Sequence, residues 1–138
     1  MATVTARKAF GEIARHAEKI KNDEHQTAGE MSVGDAWAQG DIALVRLEAV
    51  PNNAVRVKSP SPQLAPGNTQ GSRHVLESLT GVTVYTLADP TALDGPILDC
   101  PKGCTVTHPE HGWVTLRPGV YGVVYQRQLA DDLRRVAD

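Results

Sequence analysis

The residues best suited to chemistry lie in one stretch, Cys100 to Gly112, which reads CPKGCTVTHPEHG. Thiolate sulfur and imidazole nitrogen are the ligands that zinc prefers, so Cys100, Cys104, His108 and His111 could form a closed structural zinc site. A strand between the second cysteine and the first histidine would spread these ligands over some 13 Å, at about 3.3 Å per residue. A four-ligand site therefore requires the strand geometry to break.

The same stretch also allows an open metal site. His108 and His111 stand at the two ends of a Pro-Glu turn with Glu110 between them, and His74 begins a strand directly after a long loop. Three histidines with a free fourth position are typical of catalytic zinc, and histidine with carboxylate suits iron or manganese. The competing interpretation makes these histidines surface residues with hydrogen-bonding roles and the two cysteines small apolar residues of a hairpin.

Other catalytic motifs are missing from the sequence. It contains no GxSxG, Walker loop or GxGxxG pattern. Ser72 and His74 are two residues apart and would face the same way on a strand, but no acidic residue completes a hydrolase triad. The sequence alone does not identify an activity.

Composition narrows the class of protein. The chain has 138 residues, 41% of them hydrophobic and only 4% aromatic, with a net charge of −2. This predicts one globular domain, with a core built largely from Val, Leu, Ile and Ala. Scarce aromatic residues and the lack of a basic block outside the N-terminal region argue against nucleic-acid binding. Without a long apolar stretch or an apparent signal segment, the sequence predicts no membrane contact, a cytoplasmic location and reduced thiols.

The N-terminal region has the pattern of an amphipathic helix, from about Val4 to Asn22. An apolar stripe recurs at spacings of three and four and consists of Ala6, Phe10, Ile13, Ala14, Ala17 and Ile20. We therefore expect a helical arm over residues 1–24, joined by a polar, glycine-containing connector over residues 25–40. Such an arm could mediate self-association, bind a protein partner or cover its own β body.

Residues 41–138 have the pattern of a β-rich body that ends in a short C-terminal helix. Hydrophobic and polar residues alternate from Ile42, and Thr80-Gly81 and Pro118-Gly119 are turn signals. The proline-rich segment 59–71 reads as a long loop or flap. About eight short strands predict a small antiparallel barrel or sandwich, with Trp113 and Tyr121 packed in its body.

Three separated motifs carry a resemblance to known sequences. They are Ala38-Gln39-Gly40-Asp41 at a strand start, Gly-Ser-Arg-His over residues 71–74, and His-Pro-Glu-His over residues 108–111 followed by LRPGVY and Gln126-Arg127. Together they resemble small bacterial and phage- or plasmid-borne β-rich proteins with no assigned function. In such relatives the glycine–histidine segment often holds two histidines, whereas here only His74 is present. The last motif is also similar to cupin-like barrels, although the HxH of the first cupin motif is missing.

These observations lead to two function hypotheses. The first is a small, oligomeric, β-rich binding or assembly module that works through its surface and its N-terminal helical arm and has no cofactor. The second is a metal-dependent, cupin-like enzyme that uses zinc, iron or manganese at His74, His108 and His111, with Glu110, Cys100 and Cys104 as further candidate ligands.

Overall fold

The structure, a computed structural model, describes residues 25–126, and these residues form ten β-strands. In chain order the strands are β1 (His25–Thr27), β2 (Ala36–Gln39), β3 (Ile42–Leu47), β4 (Ala54–Arg56), β5 (Val75–Leu76), β6 (Thr83–Leu87), β7 (Asp94–Cys100), β8 (Cys104–Thr107), β9 (Trp113–Leu116) and β10 (Gly119–Tyr125). A single 3-10 turn, Gln70–Ser72, is the one helical element in this part of the chain. No helix of the described residues is long and apolar enough to cross a membrane.

The strands form two open sheets. Six strands pair in the order β2-β3-β10-β7-β6-β4, and four pair in the order β1-β9-β8-β5. Every pairing is antiparallel except that of β1 with β9. The end strands of each sheet do not pair with each other, so the predicted small antiparallel barrel or sandwich of about eight strands is wrong, and the described residues form two open sheets with ten strands instead. The predicted arm over residues 1–24 and the short C-terminal helix lie outside the described residues, which contain no α-helix.

Two chain corners connect the two sheets. β7 belongs to the six-stranded sheet and β8 to the four-stranded sheet, and β9 and β10 cross back in the opposite direction. Cys100 pairs with Gly119 on one side of the corners, and Cys104 pairs with Leu116 on the other. Gly103 has φ +80°, and a Cβ there would lie 2.5 Å from the Leu116 carbonyl oxygen. Glycine is therefore required where the two corners pack together. A residue with a side chain would clash with the Leu116 carbonyl and would not readily adopt the positive φ angle.

The core draws on both sheets. Its fully buried members are mostly aliphatic, as the composition predicts, and include Leu44, Leu98, Val106 and Leu116. Tyr121 is 1% exposed, and its hydroxyl donates a hydrogen bond of 2.7 Å to the Arg117 carbonyl oxygen. Trp113 is 40% exposed, so the prediction that it packs in the body is wrong. The alternation of β9 points Val114 and Leu116 inward, which leaves Trp113 on the outer face.

The proline-rich segment 59–71 is tied to the body. Leu64 and Ala65 are buried in the core, and the Leu64 N–H donates to the His74 carbonyl oxygen at 2.7 Å. The Gln63 side-chain amide donates back to the Ala65 carbonyl oxygen at 2.6 Å. The segment thus positions Gly71 and His74. Residues 25–40, interpreted from the sequence as a connector, contain β1 and β2.

Candidate histidine site

Two separated chain segments bring the three predicted histidines together. His74 lies just before β5, while His108 and His111 lie in the connection between β8 and β9. The ring centroids of His74 and His108 are 4.4 Å apart, and those of His108 and His111 are 4.6 Å apart. The three rings therefore form one cluster, with His108 in the middle.

Gln39, the last residue of β2, fixes the orientation of His74. Its Nε2 donates to the carbonyl oxygens of Val106 at 3.1 Å and Gly112 at 3.0 Å. Because both of these partners can only accept, the amide nitrogen must face them, and Oε1 faces Nδ1 of His74 at 2.9 Å. His74 Nδ1 therefore carries the hydrogen and donates it, which leaves Nε2 with a free lone pair.

That Nε2 atom is buried and has no hydrogen-bond partner within the described part of the chain. His74 is fully buried, and this burial, followed by the charges that His108 and His111 would carry, lowers its pKa from 6.5 to about 3, while the backbone of Gly71 opposes the decrease. The imidazole is thus neutral at physiological pH. A buried acceptor without a partner is uncommon in folded proteins and indicates an unfilled interaction.

His108 uses both of its ring nitrogens to hold the backbone. Nδ1 accepts hydrogen bonds from the N–H groups of Glu110 at 3.0 Å and His111 at 3.2 Å. Nε2 must then carry the ring hydrogen of the neutral form, and it donates to the Gly71 carbonyl oxygen at 3.1 Å. Burial lowers the pKa of His108, which favours this neutral form. His108 is therefore a structural link between the turn and the 71–74 segment.

Gly40 provides space for the rings of both His74 and His111. It has φ +56°, and a Cβ at this position would lie 2.8 Å from Nε2 of His111 and 3.2 Å from Cε1 of His74. Both rings thus converge on one point of the backbone. Any larger residue would occupy this point, so glycine is required here for steric as well as conformational reasons.

Gln126, the residue directly after β10, holds the turn that follows β2 in place. The Gln126 N–H donates to the Asp41 carbonyl oxygen at 3.0 Å, and the Gln126 side-chain amide donates to the Gly40 carbonyl oxygen. The carboxylates of Glu110 and Asp41 act on His108 and oppose the decrease in its pKa. Residues from all three motifs of the sequence resemblance therefore meet at this site.

The two cysteines lie at the opposite end of β8, next to each other and away from the histidines. Their Sγ atoms are 3.2 Å apart, and both thiols are free. The four ligands considered for a closed zinc site are thus divided between the two ends of one strand, and Glu110 is exposed. Across residues 25–126, no group of three or more His, Cys, Asp or Glu side chains is arranged to hold a metal ion.

Sequence reasoning missed the two residues that organise the cluster, Gln39 and Gly40. Their signal was present in the Gln-Gly-Asp strand start, but nothing in the spacing links that motif to His74 across more than thirty residues.

A family model described as a domain of unknown function, DUF8820, matches residues 38–126. The chain belongs to the DUF8820 family. The matched range of the DUF8820 domain contains the whole cluster, from Gln39 to Gln126. No curated protein and no solved structure shows significant similarity to the chain.

Proposed function

We propose that the DUF8820 domain is a metal-binding module, in which Nε2 of His74 and Nε2 of His111 hold one divalent transition-metal ion. The observation that carries the proposal is the buried Nε2 of His74, which has a free lone pair and no hydrogen-bond partner among the described residues. Leaving a buried acceptor unsatisfied costs about 1–3 kcal/mol. A metal ion at this nitrogen would remove that cost.

The hydrogen bond on the other side of the His74 ring supports this proposal. A metal-binding histidine typically donates its second ring N–H to an oxygen, which fixes the tautomer and the ring orientation. Gln39 Oε1 accepts such a bond from His74 Nδ1 at 2.9 Å. Gln39 is itself held by two backbone carbonyls, so the His74 ring is already oriented without the ion.

His111 is the second ligand in this proposal because its Nε2 lies beside Gly40, at the same backbone position that Cε1 of His74 approaches. His108 keeps a positioning role, since both of its nitrogens bind backbone groups. This differs from the cupin-like hypothesis, which uses all three histidines as ligands. Two imidazoles suit zinc, copper or nickel, and water or an external donor would complete the coordination. The assembly role expected of residues 1–24 concerns a part of the chain that the structure does not describe.

Calorimetric titration of chelator-treated protein with Zn²⁺ tests the proposal. We expect one equivalent to bind, and free Zn²⁺ at 100 times the dissociation constant should raise the free energy of unfolding by about 2.7 kcal/mol. His111→Ala should abolish both effects, because His111 is only partly buried and its ring makes no structural hydrogen bond in the described residues. His25→Ala is the matched control, since His25 lies outside the cluster and is exposed.

The role of Gln39 is tested separately with Gln39→Met, which removes the amide and keeps a similar volume. Loss of an orienting partner typically weakens metal affinity 10–100-fold. The fold of each variant is checked by its NMR spectrum before titration. If folded His111→Ala binds Zn²⁺ as tightly as the wild type, the site is not at this cluster and the proposal is wrong.

A further inference from the structure

The two thiols of the chain form a close pair at the corner between β7 and β8. Cys100 Sγ donates a hydrogen bond to Cys104 Sγ, and the two atoms are 3.2 Å apart. Cys100 is completely buried, whereas Cys104 is half-buried. Cys104 also lines a surface cavity of about 250 Å³, together with Lys102 and Glu77. Cys104 packs against the core but borders this cavity, so it is the more accessible residue of the pair, whereas Cys100 is shielded.

The corner holds the pair in place. The Gly103 N–H donates to the Cys100 carbonyl oxygen at 2.9 Å, which closes a turn with Pro101 at its second position. Gly103 packs against the Leu116 carbonyl, and Cys100 and Cys104 are each paired with a strand of a different sheet. The short separation of the sulfurs thus follows from backbone positions that both sheets fix.

The two sulfurs differ in reactivity. The hydrogen bond from Cys100 lowers the pKa of the Cys104 thiol by stabilising its thiolate. The same bond, followed by burial, raises the pKa of the Cys100 thiol. Since the thiolate is the nucleophile in exchange reactions, Cys104 is the attacking sulfur and Cys100 the resolving one.

We propose that Cys100 and Cys104 are a redox-active dithiol, which a low-molecular-weight disulfide such as glutathione disulfide oxidises to an intramolecular disulfide. The Cys104 thiolate attacks one sulfur of glutathione disulfide, forms a mixed disulfide and releases one glutathione thiolate. Cys100 then loses its proton and attacks Cys104 Sγ, which releases the second glutathione. Two protein thiols are oxidised, and one glutathione disulfide is reduced to two glutathione molecules.

The disulfide would lie where the chain passes from one sheet to the other. The sulfurs must approach from 3.2 Å to about 2.05 Å, a small movement for two side chains that already touch. The bond would covalently close the three-residue corner Pro101-Lys102-Gly103. This proposal is independent of the metal site, because it involves only the opposite end of β8.

The experiment incubates the folded full-length chain with glutathione disulfide under chelator, then alkylates free thiols and measures intact mass. The chain has two cysteines, so an intramolecular disulfide can join only this pair. We expect both alkylatable thiols to be lost without any retained glutathione, and excess reduced glutathione to restore them. Persistent thiols, or disulfides only between chains, would overturn the proposal.

Two variants test the assigned roles. Cys100→Ala should stop the reaction at a stable glutathione adduct on Cys104, because the resolving thiol is gone. Cys104→Ala should leave the buried Cys100 unreactive under the same conditions. If Cys104→Ala reacts as fast as the wild type, Cys104 is not the attacking sulfur and the proposal fails. The wild-type measurement remains decisive even if a variant does not fold.

Discussion

The two ends of β8 carry the reactive side chains of this domain, and they use them differently. At the end that leads to His108, the polar side chains bind backbone groups of distant segments, as Gln39 and His108 both do. At the Cys104 end, the two sulfurs interact with each other. At the histidine end, candidate metal ligands therefore lie beside side chains that hold the backbone. At the cysteine end, the proposed oxidation involves only the two sulfurs. Substitutions at the two ends should therefore lower the free energy of unfolding by different amounts.

The largest difference is expected between His108→Ala and Cys104→Ala. Removing the His108 ring deprives two backbone N–H groups and one carbonyl of their partner in a partly buried turn. At about 1–3 kcal/mol for each unsatisfied group, the free energy of unfolding should fall by about 3 kcal/mol or more. Cys104→Ala should cost less than about 1 kcal/mol, because it removes one half-buried sulfur.

Urea unfolding at pH 7 under chelator measures both values. His108→Asn is the matched control, because its side-chain oxygen can still accept from the N–H groups of Glu110 and His111. It should recover part of the loss. Equal costs for His108→Ala and Cys104→Ala would remove the contrast between the two ends.

The cluster itself could be predicted only in part from the sequence. His74, His108 and His111 were identified as a set, because residue types with metal-binding chemistry stand out in any sequence. Which of their nitrogens are free depends on hydrogen bonds to Gly71 and Gln39, and no local pattern encodes such long-range pairings. This is why His108 was predicted to be equivalent to the other two histidines.

The fold was predictable to a similar degree. Turn signals and alternation predict a mainly β body, which the structure confirms, but the predicted small antiparallel barrel or sandwich is wrong because strand periodicity does not specify which strands pair. The corner at Gly103 shows the reason. Pro101-Lys102-Gly103 has the composition of a hairpin turn, yet it joins strands of two different sheets.

A second expected difference between the ends concerns pH. His74 stays neutral in the folded chain down to a pKa of about 3, whereas its unfolded value is 6.5. Below pH 6.5 the unfolded state therefore binds a proton that the folded state does not, and stability is lost as pH falls from 6.5 towards 3. The loss should be about 1 kcal/mol per pH unit, near the limit of 1.4 for one group.

Urea unfolding under chelator at pH 7, 6 and 5 measures this dependence. His74→Gln should weaken it, since the glutamine does not titrate, and should leave the contribution of His108, whose pKa burial also lowers. The exposed His25→Gln should leave the dependence unchanged. A wild-type stability that is constant from pH 7 to pH 5 would contradict the assigned neutral state of His74.

The smallest expected effects on the free energy of unfolding come from two aromatic residues. For these residues the costlier substitution is expected at the cysteine end and not at the histidine end. Tyr121 lies near the corners at the cysteine end and is buried, whereas Trp113 begins β9 near the histidine end and is 40% exposed. Tyr121→Phe keeps the packed ring and removes only the hydroxyl that donates to the Arg117 carbonyl. Since Arg117 is exposed and water can replace this donor, the cost should be about 1 kcal/mol. Trp113→Ala should cost less than that despite the larger truncation, because the indole is not enclosed by the core. Urea unfolding of both variants at pH 7 tests this order, and a cost of about 3–5 kcal/mol for Trp113→Ala would instead show a buried aromatic side chain.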